Sequence, residues 1–243
     1  MVFGLFSKER ALKKAIAKAS NKHAQSADRW AAMEKLQQIG TDDALLALCK
    51  RFSFRYDKTI EDQQEKQWTV DVLVSKGEAA YGAVRTYMKT ANSLGYPLEI
   101  LSKIASPEKI LVVVDEIFAA EEPGYTRDPK KRIDLIEWLG AWDGISDDDI
   151  AKRICPYLKD FDENVRFKVT EVLAQKPAEL AGPALAEAMT DDEEESLRLK
   201  LRMAEVLADN QLELGDFKDK VAELINTELT DYKLVKNRLT KKK

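Results

Sequence analysis

The sequence predicts an all-α protein, and three features carry that prediction. Apolar residues recur at helical spacing almost throughout, and no stretch alternates as a half-buried strand does. Helix-start signals follow one another at short intervals, at Thr41, Ser75, Ser106, Asp128, Ser146 and Thr190. The ten glycines and seven prolines fall mostly between the periodic segments. At each start a hydroxyl or carboxylate can accept a bond from an orphan N–H, and acidic residues in the first turn complement the macrodipole.

Residues 1–22 begin with Val2, Phe3, Leu5 and Phe6; Leu12, Ile16 and Ala19 then share one helical face and Arg10, Lys13, Lys14 and Lys18 the other. Such a basic amphipathic helix can cap a helical body, or lie on an anionic membrane or in a partner's groove. Asp28 and Arg29 lead into Ala32, Leu36, Ile39 and Gly40, and Thr41 opens a second helix through Leu45 and Leu48. Residues 51–57 break this period, alternating aromatic with polar side chains and placing Arg51 and Arg55 among Phe52, Phe54 and Tyr56. Weaker helix pairs fit at about 60–92 and 97–120.

Asp128, Pro129 and Arg132 open a helix through Ile133, Ile136 and Leu139, with a partner through Ile150, Ile154, Tyr157 and Leu158. Asp162, Val165 and Arg166 open the next, through Val169, Val172 and Leu173. After Pro177 its partner runs through Leu180, Ala184, Leu185 and Met189. Glu194, Leu197 and Arg198 precede Leu201, Ala204 and Leu207, followed by Phe217, Val221, Leu224 and Ile225. Residues 230–243 read as a frayed basic tail.

A period of about 30–40 residues with two helices per unit is a solenoid signature. At these residues the chain resembles the HEAT repeat: an acidic turn, an apolar-Arg step opening the first helix, then a second helix after a short break. The resemblance covers about 28–228 and implies a right-handed α-solenoid of about six helix pairs, with about 12–13 helices in all. Residues 1–26 would be the cap helix, 27–229 the solenoid and 230–243 the tail. Through residues 51–57 and 128–131 the chain is also similar to a group of uncharacterised bacterial HEAT-repeat proteins. The family's ladders between turn Asp and helix Arg imply structural places for Arg29, Arg132, Arg166 and Arg198.

Composition narrows the function. His23 is the only histidine, and Cys49 and Cys155 stand 106 positions apart, so nucleophile–histidine arrangements and clustered zinc ligands lack their parts. Neither a metal nor a cofactor is expected. Net charge is −4, yet residues 1–22 and 231–243 carry +5 each, leaving −14 on the 208 residues between them. An acidic body disfavours nucleic acid, which wants a basic groove.

The resulting expectation is a cytoplasmic, non-enzymatic scaffold or adaptor that binds another protein along an extended surface. Candidate contacts are Arg51, Phe54, Arg55 and Asp57 in the irregular loop. Lys50, Lys152 and Arg153 join them, on the polar sides of second helices, which in such folds line the concave face. One alternative is a peripheral adaptor at the inner face of a membrane, anchored through Phe3, Leu5, Phe6, Arg10, Lys13, Lys14 and Lys18. Another is an enzyme on the same scaffold, of the bilin lyase or DNA glycosylase type, an analogy of fold alone.

Overall fold

A computed structural model describes residues 2–242, with side chains from residue 8 onward. The described residues form thirteen α-helices, three short 3₁₀ turns and one β-hairpin, so the chain is all-α in substance. It divides into two compact units, Met1–Ile117 and Phe118–Lys243.

The first unit holds α1 (Val2–Ala19), α2 (Ser26–Ile39), α3 (Asp42–Cys49), α4 (Thr59–Ser75), α5 (Glu78–Thr90), α6 (Gly95–Ile104) and most of α7 (Pro107–Ala120). Gly40 ends α2 at φ +62°, a left-handed conformation that glycine adopts without a Cβ penalty, and its N–H bonds back to the Leu36 carbonyl. Here α2 packs on α4 and α4 on α6, while α3 packs on α5. First helices thus meet first helices and second meet second. Leu36, Leu45, Leu48 and Leu73 are fully buried between these layers.

The second unit repeats the scheme with α8 (Lys130–Ala141), α9 (Asp147–Ile154), α10 (Glu163–Leu173), α11 (Ala178–Met189), α12 (Leu197–Asp209) and α13 (Lys218–Thr227). Here α8 packs on α10, α10 on α12, and α9 on α11. The contact between α8 and α10 is close enough that a Cβ at Gly140 would lie 2.5 Å from Val172 Cγ1. Ser146, Asp162 and Ser196 cap α9, α10 and α12 by accepting N–H bonds. Thr190 is not a start: it closes α11, its hydroxyl donating to the Ala186 carbonyl at 2.8 Å.

The frayed tail expected at 230–243 is instead a hairpin of β1 (Tyr232–Val235) and β2 (Arg238–Lys241). Tyr232 and Leu239 are buried, and β2 packs on α12. Its two-residue turn places Lys236 at φ +58°, without the Asn-Gly or Asp-Gly signal that usually betrays such a turn. Leu197 and Leu201, expected in the core, are exposed; Leu199, Met203 and Leu207 are the buried face of α12.

Candidate functional site

In the second unit one cation near the start of each first helix reaches an acid 28 residues later. Arg132 Nη1 donates to Asp160 Oδ2 at 2.8 Å, Arg166 Nε to Glu194 Oε2 at 2.7 Å, and Lys200 Nζ to Glu228 at 2.9 Å. The cations (132, 166, 200) and the acids (160, 194, 228) thus both step by 34 residues. The same groups also hold loop backbone: Arg132 Nη1 donates to the Gly124 carbonyl at 2.6 Å. Arg166 Nη1 donates to the Asp160 and Phe161 carbonyls at 2.8 and 3.1 Å. Asp160 in turn accepts from the Asp162 N–H at 2.8 Å.

Two aromatic side chains stand on these pinned loops. Tyr125 is 77% exposed and Phe161 68%, their rings 5.4 Å apart and edge to face. Loops are usually the least fixed part of a fold, but the guanidinium groups of the buried Arg132 and the half-buried Arg166 hold this pair's backbone. The rings overlook a cleft of about 480 Å³, floored by Leu158 and Ala188 and rimmed by Asp191, Glu193, Glu194 and Glu195. Within it Glu194 is taken by Arg166, and Asp191 lies 3.5 Å from Lys159. The Glu193 N–H bond to Asp191 holds that carboxyl below its usual range, with Lys159 adding to the effect against burial. Lysine and arginine apart, the outward-facing groups of the cleft are aromatic or acidic, a surface for recognition.

The irregular loop of the first unit serves a different purpose. Arg51, expected to contact a partner, is 2% exposed and so does not. It donates to Glu65 Oε2 and Asp62 Oδ1, both at 2.7 Å, and to the Phe54 carbonyl at 3.1 Å. Arg29 reaches the same Glu65 at 3.1 Å, and Lys66 reaches Asp62 at 2.8 Å. Tyr56 lies under the Arg29 and Arg51 guanidinium groups, and Phe54 under that of Arg51. Burial, then the Glu65 carboxylate, push the Tyr56 phenol upward against the two arginines. Burial opposes ionisation of Asp62, but the bonds from Lys66 and Arg51 outweigh it and hold the carboxyl below its usual range. Arg55 and Asp57 are exposed on the outer side of this loop, and Phe52 turns inward, stacked on Tyr96 at 5.0 Å.

Of the other expected contacts, Lys50 and Lys152 are exposed, while Arg153 is half-buried and donates to the Asp149 carbonyl at 3.0 Å. In α1, Ala15 and Ala19 are buried and Leu12 and Ile16 half-buried as the helix packs on α2 and α3. Arg10, Lys13, Lys14 and Lys18 are exposed; Lys13 pairs with Glu9 and Lys18 with Asp28, each at 2.8 Å. The side chains of Phe3, Leu5 and Phe6 lie outside the described residues. Arg198, expected in the ladder, is exposed: it lies over the Phe167 ring at 4.7 Å and 3.6 Å from Glu163 of α10, outside the row of Arg132, Arg166 and Lys200.

Tyr125 and Phe161 were not anticipated. Their signal was a lone aromatic between turn residues, Gly124-Tyr125 and Asp160-Phe161-Asp162, just ahead of a first helix.

Burial pushes the Cys49 thiol up to about 12, and burial with Glu187 nearby raises Cys155. Both thiols stay protonated near neutrality and pack as small hydrophobes. Among the described residues no group of three or more His, Cys, Asp or Glu is placed to hold a metal ion. No described helix is long and apolar enough to cross a membrane. Comparison of the chain with protein-family models, curated proteins and solved structures finds no match.

Proposed function

We propose that this chain is a non-enzymatic, cytoplasmic scaffold of HEAT-like repeats, a right-handed solenoid in architecture, that binds another protein through the Tyr125–Phe161 cleft. The repeat reading is supported by first-on-first and second-on-second helix packing within each unit, and by a ladder that steps by 34 residues. The observation that carries the binding reading is two large, exposed aromatic rings whose loops are anchored by the buried Arg132 and the half-buried Arg166. An aromatic anchor already fixed in place loses little conformational entropy on binding, and such residues dominate interface energetics. Such a surface needs no acid, base or nucleophile, and the cleft offers no activated one.

The cap reading of α1 is favoured over the membrane reading because the described part of its apolar face, Leu12 to Ala19, is occupied by α2 and α3. A helix cannot give that face to lipid without leaving the unit.

Photo-crosslinking tests the proposal. A benzophenone amino acid at position 125 or 161, in the full chain inside its own cells, should capture the same protein from both sites. The same probe at Val112, an exposed apolar position in the first unit, should not capture it. Capture of unrelated abundant proteins from all three positions, or of none, would refute a binding site in the cleft.

A further inference from the structure

The charges around the cleft are not balanced within the fold. Among its lining residues, Arg166 neutralises Glu194, Lys159 neutralises Asp191, and Arg132 from below neutralises Asp160. Glu193 and Glu195 are exposed and carry no ion pair among the described residues. Two carboxylates therefore face the same opening as the two rings. We propose that the cleft receives a basic, extended segment of a partner protein, with lysine or arginine side chains seated between the Tyr125–Phe161 pair and Glu193 and Glu195. This rests on the scaffold reading and adds to it the chemistry of the partner.

Three arguments select a basic occupant. An aromatic face attracts a cation through its quadrupole, and arginine or lysine stems also cover apolar surface, here Leu158 and Ala188. A neutral apolar segment would desolvate Glu193 and Glu195 without pairing them, and an acidic one would add repulsion. The second unit, its hairpin included, holds 28 acidic and 21 basic side chains, a net −7, so its field steers cations toward it and anions away. A cleft of about 480 Å³ has room for one or two side chains, which suits a segment lying across it with one or two residues inserted.

The test is selection of a random dodecapeptide display library on the immobilised full chain, counter-selected on Tyr125→Ala/Phe161→Ala. Both rings are exposed, so that variant keeps the fold; an unchanged melting curve checks this. Enriched peptides should carry clustered lysine or arginine beside aliphatic residues. A synthetic copy of the consensus should bind the aromatic double variant at least about tenfold more weakly. Glu193→Gln/Glu195→Gln should weaken it about fivefold and flatten its salt dependence. Enriched peptides without positive charge, still lost in the aromatic variant, would overturn the basic partner and leave the scaffold reading standing. If no peptide distinguishes the wild type from that variant, both readings fall. Self-association of the wild type that disappears in the aromatic variant would place the chain's own basic ends in the cleft, and so overturn a separate partner.

Discussion

Replacing Glu65 by Gln should destabilise the first unit more than replacing Arg51 by Met, although each side chain makes four hydrogen bonds. The buried cluster holds three cations, Arg29, Arg51 and Lys66, against two carboxylates, Asp62 and Glu65. Loss of Arg51 leaves two of each, with Glu65 still held by Arg29 and Asp62 by Lys66. Loss of the Glu65 charge leaves three cations around one carboxylate, and Glu65 itself is 0% exposed. Removing one partner of a buried charge pair costs about 3–5 kcal/mol, so Glu65→Gln should cost about 4 kcal/mol. Arg51→Met, which mainly forfeits hydrogen bonds, should cost about 2 kcal/mol. With a urea slope of about 2 kcal/mol/M for a unit of this size, the midpoints should fall by about 2 M and 1 M. The first unit contains Trp30 and Trp68, which meet edge to face at 5.5 Å; the second contains Trp138 and Trp142. Fluorescence in a Trp138→Phe/Trp142→Phe background therefore follows the first unit alone. If Arg51→Met lowers the midpoint as far as Glu65→Gln or further, the charge-balance argument is wrong.

Three further outcomes follow from the same geometry. Gly140→Ala should destabilise the second unit by about 2 kcal/mol through overpacking against Val172, and adding Val172→Ala should recover part of that loss in thermal melts; no recovery would place the strain elsewhere. Leu239→Ala, at a fully buried hairpin position, should cost about 3 kcal/mol, read by fluorescence in a Trp30→Phe/Trp68→Phe background, whereas a frayed tail would tolerate it. Because the Asp62 carboxyl is lowered in the folded state, its contribution is present above the ordinary value of 3.8 and is lost as pH falls through the lowered one. The stability gap between wild type and Asp62→Asn should thus close as pH drops from 5 toward 2; a constant gap would mean that Asp62 does not ionise there.

The helices were legible because their apolar period is strong: Leu36, Leu45, Leu48, Ile136, Leu139, Val169 and Leu173 are all core. The last repeat slipped by two residues for a definite reason. In Leu197-Arg198-Leu199-Lys200 two apolar-cation steps follow each other, and the one resembling Val165-Arg166 by residue type is the wrong one. The ladder requires a cation 34 residues after Arg166, and that position is Lys200, which reaches Glu228. A lysine serves there because the site needs a point charge and no loop carbonyls are gathered by it, unlike Arg166 and Arg132. Once Lys200 is aligned, Leu199, Met203 and Leu207 fall inward and Leu197 and Leu201 outward. The loop at 51–57 misled in another way. Its alternation of aromatic and cation marks a place where cations are buried under rings, and only packing decides that Arg51 is the buried one and Arg55 the exposed one.

The same register explains the hairpin. Along a second row, Lys168 reaches Glu137 at 2.9 Å and Arg202 reaches Glu171 at 2.5 Å, again one step of 34 residues. The next acid in that row is Glu205, on the last first-helix of the series. Arg202 of the same helix reaches it at 2.7 Å, and Lys241 of β2 at 3.2 Å. The hairpin thus covers α12 with Tyr232 and Leu239 and adds a lysine to the row. The basic residues of the hairpin are split in role: Lys241 pairs with Glu205 of α12, while Lys233 and Lys236 stay on the hairpin's solvent side.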